Sequence, residues 1–430
     1  MVYHVGLLCP AAIGHLNPMC NLGNELQRRG YKVTLFGIPD VQEKIAKSEL
    51  GFYKIGANDF PPGSLDLIYT QQGKRSGFAG LKFALESFRR ATVMMFREGP
   101  DAIKKADIDI LLVDQTTSAG GTIADYLKLP FVTICSTLPI HQDFNIPPTF
   151  IDWNYQDVWW AKLRNQLGYQ LLDYLTYPIW KLVSQQRRQW QLYPYYHRRD
   201  ADSQLAQISQ LPKMLDFPRE NLPPYFHYVG PLKNPSDVEP ISSYGEDFPF
   251  EALGNKPLIY ANLGTLQSRN WEIFHQIAEA CLDLDAQLLI SLGNPEADLS
   301  KVNFPGSPLV FPFPPHQKLI NRASVVITHA GSTAVSCLSA GVPMVAIPIT
   351  ADQPGMAARV SKVRAGEVVP LNKLNVSKLK ASIEKVLRDQ SYRNSAVRLS
   401  KAIQKSGGVN YAADIVEQVA ATKAPVLNAQ

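Results

Sequence analysis

Two sets of residues in this chain have the types and spacing to do chemistry. One is Thr328-His329-Ala330-Gly331-Ser332-Thr333, followed by Gly341-Val342-Pro343 and then Asp352-Gln353. The run Ser324-Val325-Val326-Ile327 stops at this string and an apolar-periodic segment with Val335, Leu338 and Ala340 follows it, which reads as strand, tight turn and helix start. A turn of that kind aims unpaired backbone N–H groups and the positive end of a helix dipole at one point, which suits a phosphate. Ser332 and Thr333 add hydroxyls and His329 an imidazole, although a βα turn capped by Ser or Thr looks the same in isolation. The other set is His15, in Gly14-His15-Leu16-Asn17-Pro18, and Asp114, directly after Ile110-Leu111-Leu112-Val113. A histidine held by a carboxylate can take a proton from a weakly acidic hydroxyl, because the carboxylate fixes the tautomer and stabilises the imidazolium. With no Gly-x-Ser-x-Gly string in the chain, this pair does not read as activating a serine nucleophile.

The elements that would position these groups alternate in a regular way. Short apolar, β-branched runs are expected as strands at residues 2–9, 32–36, 52–55, 110–113 and 131–134, with helical segments between most of them. Near Lys256 the rhythm restarts, with strands at residues 257–262, 287–291, 309–311, 325–328, 344–347 and 367–369. Two successive βα series imply an α/β protein with two doubly wound parallel-sheet domains. Residues 1–230 form the first, the proline-bearing stretch 231–254 is the linker, residues 255–409 form the second, and 410–430 are a final helix and a frayed tail. Ligands of such sheets sit beyond the carboxyl ends of the strands. His15, in the loop after the first strand, and Asp114 after the fourth therefore belong to one edge, with Asn17 and Pro18 as N-cap and first residue of the next helix.

A length of 430 residues fits two domains, and 45% hydrophobic with 19% charged residues describes a globular chain able to bury large cores. The net charge of +5 is small for this length and gives no reason to expect nucleic acid. Five scattered cysteines without a Cys-x-x-Cys speak for a reducing compartment. The first eight residues lack a basic n-region and read as a strand, so a cytoplasmic location is expected, with contact to a membrane surface allowed by the composition.

Taken together, Gly14-His15-Leu16-Asn17-Pro18, the block from Phe313 to Gln353 and the string from Ala351 to Arg359 resemble the family 1 nucleotide-sugar-dependent glycosyltransferases, especially bacterial members acting on carotenoids and macrolides. The resemblance implies a GT-B fold, two Rossmann-like domains facing across a cleft, and inverting transfer. It implies that His15 is the general base and Asp114 its partner. For the donor it implies Gly14, Gly264 and Thr265 near the phosphates, Phe313 stacking on the nucleobase with His316 beside it, His329, Gly331, Ser332 and Thr333 on the diphosphate, and Asp352 with Gln353 on the sugar hydroxyls. UDP-glucose is then the cosubstrate, with neither a further cofactor nor a metal. Asp107-Ile108-Asp109 and Asp283-Leu284-Asp285 precede strands and read as solvated turns away from the cleft. One departure stands out. The family's loop carries an asparagine and, four residues later, a glutamate that accepts both ribose hydroxyls. Here Ser332 falls at the asparagine position and Ser336 or Cys337 at that of the glutamate, so a weaker ribose clamp is expected.

The acceptor side is expected in the first domain. Residues 150–196 are crowded with aromatic rings interleaved with Lys and Arg, which suits a pocket for a lipophilic, hydroxyl-bearing small molecule and equally an interfacial helix. Trp153, Trp159 and Trp160 are the candidate walls, with His141 after the fifth strand; residues 94–97 and a loop region at 60–83 are further wall elements. The final helix is implied to cross back onto the first domain. Two other readings stay open at this point, a nucleotide-sugar epimerase and a noncatalytic nucleotide-sugar or lipid binder.

Overall fold

The computed structural model describes residues 3–73, 75, 77–233, 248–265 and 270–428. Among them, seven parallel strands form a first sheet: β1 (His4–Leu8), β2 (Lys32–Gly37), β3 (Gly51–Lys54), β4 (Ile110–Asp114), β5 (Phe131–Cys135), β6 (Gln207–Ser209) and β7 (Phe226–Tyr228), in the order β3-β2-β1-β4-β5-β6-β7. Six more form the second: β8 (Leu258–Asn262), β9 (Gln287–Ser291), β10 (Leu309–Phe311), β11 (Val325–Thr328), β12 (Met344–Ala346) and β13 (Gly366–Val368), in the order β10-β9-β8-β11-β12-β13. The central strands β1, β4, β8 and β11 are buried along their whole length, because helices cover both faces; this is why they read as unbroken apolar runs.

Each sheet reverses its strand order at one place, between β1 and β4 in the first and between β8 and β11 in the second. Chains leaving such neighbours diverge to opposite faces and leave a crevice at the carboxyl edge. His15 follows β1 and Asp114 ends β4, while Gly264-Thr265 and His329 follow β8 and β11, so the candidate residues of each half sit at the carboxyl ends of the two strands that flank its reversal.

Several local expectations are corrected. The first helix runs Ile13–Arg28, so His15 sits in its first turn and not in a loop, and Asn17-Pro18 lie inside it and not at its start. Leu16, Met19, Leu22 and Leu26 bury one face of this helix against the sheet. That burial outweighs the single backbone bond Pro18 cannot make. Asn17 instead takes a hydrogen bond from Lys44 Nζ at 2.5 Å. Residues 60–83 are largely helical, in Ser64–Gly73 and the start of Gly77–Lys105. Strands β6 and β7 were not anticipated. Most of the linker, residues 234–247, lies outside the described residues.

The Gly408–Thr422 helix packs on the Ile13–Arg28 helix of the first domain, tied by Arg29 to Asp414 and Glu417, each at 2.7 Å. The described part of the tail, to Asn428, is pinned and not frayed. Val426 N donates to Leu205 O, His227 Nε2 to Val426 O and Asn428 N to Pro224 O.

Candidate active site

His15 and Asp114 meet. Asp114 is fully buried at the end of β4, and its Oδ2 lies 2.9 Å from His15 Nδ1. Its other oxygen accepts from the backbone N of Thr116 at 2.9 Å and from the Thr116 hydroxyl, so the carboxylate is held in one orientation. Burial works against a charge on either group. The neighbouring charge and the shared hydrogen bond overcome it, raising the His15 pKa and lowering that of Asp114. Asp352, from the second domain, also raises His15 by its charge, so the imidazole is within electrostatic reach of the opposite crevice. A Cβ on Gly14 would enter open space beside it.

In the second domain the turn after β11 is tight. Ala330 has φ +62° and Gly331, the N-cap of the Ser332–Ser339 helix, has no side chain to cap it. Ser332 and Thr333 are therefore its first two residues and not its cap, which leaves the amides at the helix start open to an anion. His329 is wedged between two glycines: a Cβ on Gly264 would fall 2.7 Å from its Cε1, and one on Gly331 2.4 Å from its Nε2. Gly264 also has φ +71°, which favours glycine independently of space. Burial lowers His329 to about 4, and its Nδ1 is buried without a hydrogen-bond partner. The ring is therefore neutral near pH 7 and keeps an unpartnered buried nitrogen beside this turn. Thr265 borders residues 266–269, which lie outside the described residues.

Further along this edge, Phe313 is half-buried between β10 and the His316–Arg322 helix. His316 opens that helix. Its Nδ1 lies 2.8 Å from the Tyr260 hydroxyl, and burial together with Lys233 and His329 lowers it to about 4. Cys337 is fully buried in the core, so of the two candidates at the missing glutamate only half-buried Ser336 can meet a ribose. Gln353 is buried, with its Oε1 accepting from Ile349 N and Thr350 N at 2.9 Å, so only its NH2 is free for a ligand. Asp352 accepts weakly from Leu138 N at 3.4 Å across the domain boundary, and its pKa is raised, chiefly by burial.

A cavity of about 530 Å³ runs from Asp114 into the first domain and reaches Thr350 and Ala351 of the second. Its apolar walls are Leu81, Leu85 and Phe88 from the Gly77–Lys105 helix and Tyr169, Leu172 and Trp180 from the Trp159–Gln189 helix. His141 lines it too, with Nε2 donating to Asn221 O at 3.1 Å and a buried, unpartnered Nδ1. Burial and Arg219 lower its pKa, leaving Nδ1 as a neutral acceptor. Trp153, Trp159 and Trp160 do not line this cavity. Trp153 covers Gly168 on the helix flank, and Trp159 and Trp160 point outward. Met94, Met95 and Phe96 are buried elsewhere in the first core. The two Asp-x-Asp strings sit before β4 and β9, where Asp109 accepts from His4 N, Asp283 pairs with Lys380 and Asp285 with Lys256.

Sequence reasoning missed one cluster behind the cleft. Asp216, buried, accepts from Arg359 Nε at 2.8 Å, Arg219 Nε at 2.7 Å and the Tyr228 hydroxyl at 2.8 Å. Arg219 also donates to the carbonyls of Pro139 and His141 on either side of Ile140, and Ile140 and His141 line the cavity. Arg359 belongs to the Gln353–Lys362 helix of the second domain, so one carboxylate joins both domains. The signal was an arginine on the apolar face of that helix, in register with Met356 and Val360.

The profile of the UDP-glucoronosyl and UDP-glucosyl transferase family matches residues 93–407. Zeaxanthin glucosyltransferase of Pantoea ananas is 30% identical over 429 residues, covering 99% of this chain and 98% of its own. The NDP-glycosyltransferase YjiC of Bacillus subtilis is 23% identical over 424 residues, covering 96% and 97%. Among solved structures, the calicheamicin glycosyltransferase CalG4 superposes with a TM-score of 0.74 at 19% identity, covering 99% and 100% of the two chains. The glycosyltransferase VinC in complex with dTDP reaches 0.68 at 17%, covering 97% and 99%. The fold is GT-B.

Proposed function

This chain belongs to the UDP-glucoronosyl and UDP-glucosyl transferase family, and on that premise we propose that it moves glucose from UDP-glucose to a hydroxyl of a lipophilic small molecule, with inversion at the anomeric carbon. The observation that carries this reading is the His15–Asp114 hydrogen bond, with Asp114 on the wall of a largely apolar cavity that reaches Thr350 and Ala351 of the second domain, and with Asp352 of that domain close enough to raise the proton affinity of His15.

Asp114 holds the proton on His15 Nδ1, leaving Nε2 free to accept the acceptor's hydroxyl proton. The oxygen then bonds to the anomeric carbon as the bond from that carbon to the diphosphate oxygen breaks, and the electron pair leaves with UDP. Charge growing on the diphosphate meets the open amides at the start of the Ser332–Ser339 helix and the hydroxyls of Ser332 and Thr333. Gly264, Thr265, His329 and Gly331 shape this cradle. Phe313 and His316 receive the base, and Asp352 with the NH2 of Gln353 the sugar. Fixed dipoles supply the positive field, so the mechanism assigns no metal or resident cofactor. The acceptor lies in the cavity with its far end against Tyr169 and Trp180, and His141 Nδ1 is placed to take a hydrogen bond from it.

The test is incubation with UDP-glucose and a panel of lipophilic alcohols that includes zeaxanthin, read by mass and by the anomeric configuration of the product. Acceptor masses raised by a hexose with β linkage are expected. An altered free sugar nucleotide without acceptor product, or an α-linked product, overturns the corresponding part of the proposal.

A further inference from the structure

The Trp159–Gln189 helix is apolar on two opposite faces. Its inner face, with Tyr169, Ile179 and Val183, is buried. Its outer face carries Trp160, Leu163, Leu167, Leu171 and Tyr174, all exposed, the three leucines at 51–58%. At 3.6 residues per turn these five fall within a wedge of about 80°, where a helix facing water would carry charge. Such a stripe, more than about 20 Å long at 1.5 Å per residue, is a large apolar patch for a helix that covers nothing on its outer side.

The charges that border the stripe are basic. The helix contains five bases and one acid in a chain whose net charge is +5. The acid, Asp173, is paired with Arg198, and Arg187 turns inward to Asp125. Lys162 lies off the stripe and pairs with Asp157 at 3.5 Å. That leaves Arg164 flanking the first half of the stripe, with its guanidinium over the Trp160 ring, and exposed Lys181 and Arg188 continuing its line toward the carboxyl end. No described helix is long and apolar enough to cross a membrane, so the stripe suits a helix lying in the plane of an interface.

We propose that this outer face docks on an anionic phospholipid surface, with the leucines and Trp160 entering the acyl boundary and Arg164, Lys181 and Arg188 meeting the headgroups. The inner face of the same helix lines the cavity through Leu172, Thr176 and Trp180, so the docked helix forms a single wall between the bilayer and the acceptor site. This goes beyond the proposed transfer reaction and rests on none of its steps.

Sedimentation with vesicles tests it without donor or acceptor, and so independently of activity. The wild-type chain should pellet with phosphatidylcholine–phosphatidylglycerol vesicles and bind pure phosphatidylcholine at least tenfold more weakly. The triple variant Leu163→Ser, Leu167→Ser, Leu171→Ser should lose tenfold or more of the binding to anionic vesicles while keeping its melting temperature within a few degrees. The pair Lys181→Glu, Arg188→Glu should remove the preference for anionic lipid. Wild-type protein left in the supernatant with both vesicle types overturns the proposal, as does undiminished binding by the triple variant. A dimer that the triple substitution dissociates, with no vesicle binding by wild type, would assign the face to a second copy and overturn it too.

Discussion

Two buried carboxylates of the first domain face the second, and they have been given opposite company. Asp114 is paired with an imidazole, whose charge can come and go near neutral pH. Asp216 is paired with two guanidiniums, which stay charged, and with a tyrosine. Both carboxyl groups are held below their ordinary value against the opposing effect of burial. Similar desolvation thus produces a titratable pair in one place and a permanently charged joint in the other, and the difference lies in the partner. The joint holds the carbonyls of Pro139 and His141 on either side of Ile140, and Ile140 and His141 line the same cavity as Asp114.

The sharpest way to break the contrast is Asp216→Ala. It leaves two arginines buried without their counter-charge and should cost about 3–5 kcal/mol of stability, measured as a fall in the denaturant midpoint; a loss below 1 kcal/mol would show the joint to be dispensable. Conversely, His15→Ala should cost less stability than Asp216→Ala, because Thr116 still holds the Asp114 carboxylate, and should lower turnover by about 100-fold or more. Wild-type rates in that variant would take the base assignment away from His15. A third carboxylate can be added deliberately. Ser336→Glu should tighten UDP-glucose binding by roughly tenfold if a hydrogen bond to a charged group is regained at the ribose, as read by calorimetry; unchanged affinity would place the ribose elsewhere.

The smallest effect is on pH profiles, where the two sites move in opposite directions. Folding raises His15, so its contribution to stability is full below its unfolded value near 6.5 and fades as pH rises through the higher folded value. Folding lowers Asp216, so its contribution is present above about pH 4 and is lost only as acid passes the depressed folded value. For activity, the base must be neutral. The acid limb of kcat/KM should lie above the ordinary histidine value and shift to lower pH in Asp114→Asn, which removes the charge that raises it. A limb at or below 6.5 in the wild type would contradict the coupling.

How much of this was legible in the sequence follows from where the physics is local. Long buried strands such as β1, β4, β8 and β11 announce themselves as apolar runs, and the residues just after them are placed at the sheet edge by topology alone. Strands β6 and β7, three residues each, carry too little pattern to stand out. Pro18 read as a helix start because proline favours the first turn, yet packing by Leu16 and Met19 decided the boundary. The same limit governs the acceptor side. Aromatic content marked the Trp159–Gln189 helix, but only its rotation showed that Tyr169 and Trp180 face the cavity while Trp159 and Trp160 face out. Asp216 and Arg359 are 143 residues apart, and no spacing rule connects them.

The cavity proposed for the acceptor owes much of its apolar wall to two long helices laid beside the first sheet, while the proposed catalytic pair and anion turn sit where the two sheets reverse their strand order. Selection can therefore remodel which molecule is glycosylated by repacking those helices, leaving the reaction's geometry untouched. A lineage built this way diversifies in the products it makes more readily than in the bond it forms.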